Sequence, residues 1–353
     1  MKIFVKTFGC QANIADSEQM MGILSKDHEI VNNENIADII IVNSCSVKNT
    51  TEQKVLSYIE KNKKKKVLVG GCLVKTIDVK ERIPEVKAVF DTNNISRINE
   101  VILNEKSLLS KEKEDRINVN VIRKHKDTGI VVIGEGCVNN CSFCATKLSR
   151  GNLRSYRKGD IKRAVEKTIN DGCRKIYLTS QDNGCYGFDI KTNLVELLNE
   201  LVEIEGDFII RVGMMNPWHF DKLKGLVEVY KNDRIMKFIH IPVQSGSEKV
   251  LKDMKRIHTV KNFKEAVKKF RENLDKIDIA TDVIVGYPTE SEEDFLETYN
   301  LIKEVKPEVL NISRFSARTG TKAKLLKQID SKVVKERSRK LHELYWSYRK
   351  NEL

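Results

Sequence analysis

Two kinds of apolar patterning alternate along the chain. Short apolar-rich runs read as strands, and between them apolar residues recur at helical spacing. In the first hundred residues the runs are IFVKTFGC, ending at Cys10, IIIVNSC, ending at Cys45, VLVGGC, ending at Cys72, and KAVFDTN from Lys87 to Asn93. Helical patterns fall at Asn13 to Leu24 and Thr50 to Lys63, the second with Asn49 or Thr50 as its N-cap. Strand, helix, strand, helix predicts parallel strands joined by crossovers. Residues 105–127, containing EKSLLSKEKEDR, show charge without periodicity and read as a linker. From Gly129 the alternation resumes with GIVVIG, KIYLTS, FIIRVG, FIHIPV, IDIATDVIVG and VLNISRF. Helices are predicted at Ile161–Asn170, Leu194–Ile204, Phe220–Tyr230, Phe263–Asn273 and Glu292–Val305. The fold class is therefore α/β: an N-terminal parallel-sheet, three-layer domain over residues 1–104, then a partial (β/α)6 barrel over residues 128–330. Residues 331–353 predict a basic helix with Leu341, Leu344, Tyr345 and Tyr348 on one side, packed on the barrel flank.

The cysteines change the picture from architecture to chemistry. Cys137, Cys141 and Cys144 form CxxxCxxC in the loop Gly134–Arg150, immediately after the first barrel strand. Three thiolates at that spacing suit an iron-sulfur cubane with one iron left open, whereas structural zinc sites close four ligands. Cys10, Cys45 and Cys72 each stand one step past a strand. In parallel sheets ligands gather at the carboxyl ends of strands, so these three are expected to converge on a second three-thiolate site. Cys173, at a helix end, and Cys185, in a loop, are not expected to be ligands. Polar loops follow the later barrel strands: Ser180–Asn183, Met215–Pro217, Gln244–Ser247 and Gly286–Glu290.

Composition adds a partner. The chain has 353 residues, 40% hydrophobic and 32% charged, with a net charge of +13 that points to a polyanion, nucleic acid first. No apolar run reaches the length of a membrane span and the N-terminus begins as a strand, so a cytoplasmic protein without membrane association is expected.

CVNNCSFC opening a partial barrel resembles the radical S-adenosylmethionine superfamily, and the three-cysteine N-terminal domain narrows the resemblance to the methylthiotransferases. The strings that carry it are TFGCQANIADSE at 7–18, NSCSVKNTTEQK at 43–54, GGCLV at 70–74, HIPVQSGS at 240–247 and FSARTGTKA at 315–323. Within that family LTSQDNGCYG, RVGMMNP and KDMKR look like the archaeal and eukaryotic branch acting on N6-threonylcarbamoyladenosine 37 of tRNA. Related branches act on isopentenyladenosine in tRNA or on a ribosomal-protein aspartate; a noncatalytic iron-sulfur RNA-binding protein is the reading from another class.

The resemblance implies two [4Fe-4S] clusters, one on Cys137, Cys141 and Cys144 and one on Cys10, Cys45 and Cys72, with S-adenosyl-L-methionine as cosubstrate. It further implies tRNA as substrate, a sulfur donor, and a reduced electron donor such as ferredoxin or flavodoxin. Ser180, Gln181, Gln244 and Asp282, all at strand ends, are expected to hold S-adenosylmethionine. Arg150, Arg154 and Arg157 are expected to meet the cosubstrate carboxylate or the tRNA backbone. Family members usually carry a small C-terminal RNA-binding β-barrel, which is expected to be absent here because the chain stops at Leu353.

Overall fold

The computed structural model describes residues 1–349 and divides the chain into two compact units. The first comprises Met1–Gly136, Cys144–Gln181 and Arg318–Gly320; the second comprises Cys137–Phe143, Asp182–Ala317 and Thr321 onward.

In the first unit β1 (Lys2–Thr7), α1 (Gln11–Leu24), β2 (Glu29–Ile30), β3 (Ile39–Ser44), α2 (Asn49–Asn62), β4 (Lys66–Gly71), α3 (Val79–Arg82), β5 (Ala88–Phe90) and α4 (Ile98–Asn104) follow in turn. The strands form one five-stranded sheet in the order β2-β1-β3-β4-β5, and the pairings described between neighbours are parallel. Alternation along the strands sorts its side chains into two cores. Ile39, Ile41 and Leu68 pack with Met20 and Leu24 of α1 and Val101 of α4, while Ile40, Val42, Val67 and Val69 pack with Val55 and Ile59 of α2. Both faces of β3 are buried, which is why it reads as an unbroken apolar run. The expected N-cap of α2 is displaced: Lys48 occupies that position without a side-chain cap, and Asn49 is already helical.

The segment expected to be a linker is bound along its length. It forms no helix and joins the sheet through a single bridge between Phe90 and Leu108. Its backbone and side chains nevertheless satisfy the polar side of α1: Ile122 donates to the Glu18 carbonyl at 3.0 Å, and Gln19 donates to the Arg116 carbonyl at 3.1 Å. Arg116 is 2% exposed. Its guanidinium is turned inward onto Asp16 and Glu135, while Glu105, Lys106, Lys111, Glu112 and Asp115 are exposed. The unit ends with β6 (Thr128–Val132), β7 (Gly134–Glu135), α5 (Ala145–Arg150), β8 (Arg154–Ser155), α6 (Lys158–Asn170) and β9 (Lys175–Thr179), in which β6 pairs parallel with β9 and β7 antiparallel with β8.

The second unit carries α7 (Leu194–Val202), β10 (Ile209–Val212), α8 (Leu226–Lys231), β11 (Phe238–His240), α9 (Glu248–Asp253), α10 (Val260–Asn273), β12 (Asp278–Val285), α11 (Glu292–Val305), β13 (Val309–Arg314) and α12 (Ser331–Arg349). β11, β12 and β13 are parallel neighbours in that order. The six expected barrel strands are all present, as β6 and β9 to β13. The helix expected from Phe220 begins only at Leu226, because Pro217–His219 makes a single 3-10 turn ahead of it. Capping boxes at Thr259 with Asn262 and at Ser291 with Asp294 start α10 and α11. α12 buries Val334, Leu341 and Leu344, and Tyr345 donates to the Glu308 carbonyl at 3.0 Å; residues 350–353 of the expected helix lie outside the described residues.

Glu290, in the turn after β12, has a titration consequence. It is 5% exposed, its carboxylate accepts from the Gly286 amide, and Oε2 lies 3.2 Å from Nη1 of Arg337. Burial outweighs the guanidinium and pushes the carboxyl up to about 7. The folded protein then holds this proton more tightly than the unfolded chain does, so its contribution to stability is lost as pH rises from about 4.5 through about 7. Glu290→Gln is expected to match the wild type in thermal unfolding near pH 5 and to exceed it near pH 8. Equal differences at the two pH values would show that Glu290 titrates alike in both states.

Candidate metal centres

The parallel register of the first unit carries three thiols past the ends of adjacent strands. Cys10 is the N-cap residue of α1, Cys45 follows β3 and Cys72 follows β4. Their surroundings are built from the same strand-end segments. Asn13 donates to the Ser44 carbonyl at 2.8 Å, Asn43 donates back to the Asn13 carbonyl at 2.7 Å, and the Cys72 amide donates to Ser44 at 3.0 Å. The Cys10 thiol lies 3.5 Å from Oδ1 of Asn13. Two glycines make this approach possible. Gly9 has φ +117°, and a Cβ there would stand 2.8 Å from Cβ and 3.0 Å from Sγ of Cys45. Gly71 has φ +97°, and its Cβ would stand 2.5 Å from Oδ1 of Asn43. Three thiols thus stand past the ends of adjacent strands beside a backbone that added side chains would crowd, a donor set suited to a thiolate-held cluster.

The electrostatics run in opposed directions. Cys45 and Cys72 are buried, and burial pushes Cys45 up to about 11 and raises Cys72 as well. Arg150, the last residue of α5, works against this: it attracts the thiolate form of both and hydrogen-bonds Cys72. Ser149 fixes that helix end by donating to the Cys72 carbonyl at 2.8 Å. Arg150 is 3% exposed and lies 2.5 Å from Asp16, which also pairs with Arg116 at 2.6 Å. Expected to meet the cosubstrate carboxylate or the tRNA backbone, Arg150 is here buried with Asp16 as its carboxylate partner. Arg154 is partly exposed, stands over the Tyr156 ring and reaches the Lys113 carbonyl. Arg157 is exposed at the N-cap position of α6.

Within the second unit, the segment Cys137–Phe143 is anchored at Ser142. Its amide donates to the Met254 carbonyl at 3.0 Å and its hydroxyl lies 2.9 Å from that of Tyr287. The Asn139 amide points at Sγ of Cys137, 3.4 Å away, and Arg256 reaches Sγ of Cys141 at the same distance. Asp182, fully buried, gathers this neighbourhood. It accepts from Asn139 at 3.3 Å, from Asn216 at 2.6 Å, and lies 2.7 Å from Nε2 of His219. Burial opposes its charge, but His219 and these hydrogen bonds outweigh burial and hold the carboxyl low. Arg256 also donates to Asn216, so one chain of contacts runs from His219 through Asp182 and Asn216 to Arg256 and Cys141.

The four residues expected at S-adenosylmethionine fall into two groups. Ser180 and Gln181 follow β9 in the first unit, where Gln181 accepts from the Gly136 amide. Gln244 and Asp282 belong to the second unit and meet through the backbone, Gln244 N–H donating to Asp282 at 2.8 Å. Gln244 holds φ +72°, and Asp282 is shared by His240 at 3.0 Å and Asn311 at 2.8 Å. Cys185, not expected to be a ligand, lies close to one: its sulfur, that of Cys137 and the Asp182 carboxylate lie within 4.8 Å of one another. Sequence reasoning also passed over Asp16, Arg256 and His219. Their partners are distant in sequence, and the one local hint was the Asn216-Pro217-Trp218-His219 string placing two polar residues three apart.

Residues 131–302 match the Radical SAM superfamily, and residues 2–91 match the uncharacterized protein family UPF0004. The fold is shared with the radical S-adenosylmethionine methyltransferase TsrM from Kitasatospora setae, at a TM-score of 0.66 and 11% identity over 91% of this chain and 76% of that one. The CxxxCxxC loop lies inside the matched Radical SAM segment, and that match defines a radical S-adenosylmethionine protein. A probable threonylcarbamoyladenosine tRNA methylthiotransferase of Archaeoglobus fulgidus is 42% identical over 98% of this chain and 83% of its own length. The Homo sapiens threonylcarbamoyladenosine tRNA methylthiotransferase is 36% identical over 98% of this chain and 63% of its own length. The chain belongs to the threonylcarbamoyladenosine tRNA methylthiotransferase family.

Asp16 is the residue whose loss tests the first centre. Asp16→Ala leaves Arg116 and Arg150 buried without their shared carboxylate, an arrangement that costs about 3–5 kcal/mol when one partner of a buried pair is removed. Urea unfolding followed by circular dichroism is expected to show a loss of that size; a change under about 1 kcal/mol would mean the arginines are balanced by other groups.

Proposed function

We propose that this chain is a radical S-adenosylmethionine methylthiotransferase that places a methylthio group on C2 of N6-threonylcarbamoyladenosine 37 in tRNA. The observation that carries the reading is the pairing of a CxxxCxxC loop with a second set of three thiols at strand ends, in a chain 42% identical to a relative of that name. Cys137, Cys141 and Cys144 would hold one [4Fe-4S] cluster, and Cys10, Cys45 and Cys72 the other. When bound, these groups supply the one-electron cleavage of S-adenosylmethionine and the sulfur-binding iron that an unactivated C2–H demands, chemistry beyond any protein acid or base.

The protein's own residues bind, orient and balance charge. Arg150 favours the thiolate form of Cys72, and the Arg256 guanidinium stands 3.4 Å from Sγ of Cys141. Ligation must displace protons that burial makes hard to remove from Cys45 and Cys72, so cluster assembly in the first unit weakens as pH falls. Gln181 fixes the Gly136 amide next to Cys137, Ser180 follows β9 directly, and Gln244 after β11 and Asp282 within β12 offer polar groups for the cosubstrate. Exposed Arg157 and half-exposed Arg154 suit tRNA phosphates, and the net charge of +13 favours a polyanion at long range. A reduced ferredoxin or flavodoxin would deliver electrons and a separate donor the sulfur, in the cytoplasm.

Anaerobically reconstituted protein is expected to carry about eight irons, about four of which leave with Cys141→Ala and a different four with Cys45→Ala. Cys141→Ala abolishes 5′-deoxyadenosine formation from S-adenosylmethionine, whereas Cys45→Ala retains it and loses methylthio transfer. Mass spectrometry of tRNA nucleosides should show a methylthio increment on threonylcarbamoyladenosine; an increment on isopentenyladenosine alone, or none, overturns the substrate assignment.

A further inference from the structure

Cys185 lies outside both three-cysteine sets, yet it is fully buried against one of them. It sits in the 3-10 turn Asn183–Cys185 that follows Asp182. Its sulfur, that of Cys137 and the Asp182 carboxylate lie within 4.8 Å of one another. A buried thiol carries one proton and must place it. Here two acceptors compete: the Asp182 carbonyl, 3.1 Å from Sγ, and Sγ of Cys137. While Cys137 is a neutral thiol the carbonyl is the better acceptor. Once Cys137 ligates iron its sulfur carries negative charge, and a charge-assisted bond to it is the stronger of the two. Cys185 itself is poorly suited to become a second anion there, since the ionised Asp182 carboxylate stands beside it and no water reaches it.

We infer that Cys185 is a positioning residue that donates its S–H to the ligating sulfur of Cys137 and thereby raises the reduction potential of the cluster held by the CxxxCxxC loop. The inference rests on the proposed ligation by Cys137. Hydrogen bonds to cluster sulfurs stabilise the more negative, reduced state, so removing one makes the electron harder to add. The Asn139 amide, 3.4 Å from the same sulfur, supplies a fixed backbone donor, and Cys185 adds the one that a side-chain substitution can delete. The bond from Asp182 to the His219 ring at 2.7 Å and to Asn216 at 2.6 Å keeps the turn, and therefore Cys185, in place.

The test is a mediated redox titration of the full, reconstituted protein, following by electron paramagnetic resonance the reduced-cluster signal that S-adenosylmethionine perturbs. Cys185→Ala is expected to keep its full iron and to move the midpoint to more negative potential, lowering the ratio of reduced to oxidised cluster at fixed potential by about threefold or more. Cys185→Ser, which restores a donor, is expected to return most of that ratio. An unchanged midpoint in Cys185→Ala, or a serine variant that behaves as alanine, overturns the inference. Loss of about four irons from Cys185→Ala overturns it differently, by making Cys185 a ligand. Failure of the underlying reading is separately visible, because Cys137→Ala would then keep the perturbed signal.

Discussion

Asp16 can remain ionised at the centre of the first unit only because two guanidiniums meet it there. Arg116 at 2.6 Å and Arg150 at 2.5 Å arrive from the strap of residues 105–127 and from the end of α5, while Asp16 itself lies on α1, whose N-cap is Cys10. One carboxylate therefore fixes three segments, two of which end at the thiol pocket. Glu135 extends the arrangement through Arg116, and Tyr156 donates to Glu135 at 3.0 Å. A buried network of this kind is weak as a source of net stability but strict about geometry, since each missing partner leaves a charge with no water to receive it.

That strictness matters because the thiols it surrounds are hard to ionise. Burial raises Cys45 and Cys72, and the guanidinium of Arg150 is the positive charge the fold brings to them. Were Arg150 a solvent-exposed side chain its effect would be screened; held in the interior by Asp16 it acts at low dielectric. The arrangement favours replacing the protons by metal over leaving bare thiolates. The same physical pattern recurs in the second unit in a different chemical form. Asp182 is held by a histidine and two asparagines instead of two arginines, and what it orders is the turn that carries Cys185 and the Asn139 side chain.

The sequence displayed the strands and the cysteines well, for reasons particular to each. β3 is buried on both faces, so Ile39 to Val42 form a continuous run of β-branched apolar residues. Cys45 and Cys72 stand out because each comes one residue past its strand, and Cys10 follows the end of β1 by three residues. α11 was legible to the residue since Ser291 and Asp294 box its start and Lys306 ends it in a left-handed turn. What stayed hidden depends on contacts across long stretches of chain. Arg116 lies in a segment whose local composition is that of a solvated linker, and only its position opposite α1, one hundred residues away, makes it a core residue. Arg150 reads as an accessible basic residue after the cysteine loop, and burial reverses that reading. Cys185 has no spacing relation to any other cysteine, so nothing in one dimension announces its place beside Cys137.

These hidden residues share one property: each meets a charge or a thiol that is itself buried. A pattern of apolar positions predicts where water is excluded, but it is silent on which polar groups have been excluded with it. Once Asp16 and Asp182 are known to be inside, their partners follow almost by necessity, since an ionised carboxylate without donors would take up a proton instead. The site in each unit is accordingly best read outward from its carboxylate. From Asp16 the path leads to Arg150 and then Cys72; from Asp182 it leads to Asn139, Cys185 and Cys137. The cysteines name the chemistry, and the carboxylates determine how much freedom the groups around those cysteines retain.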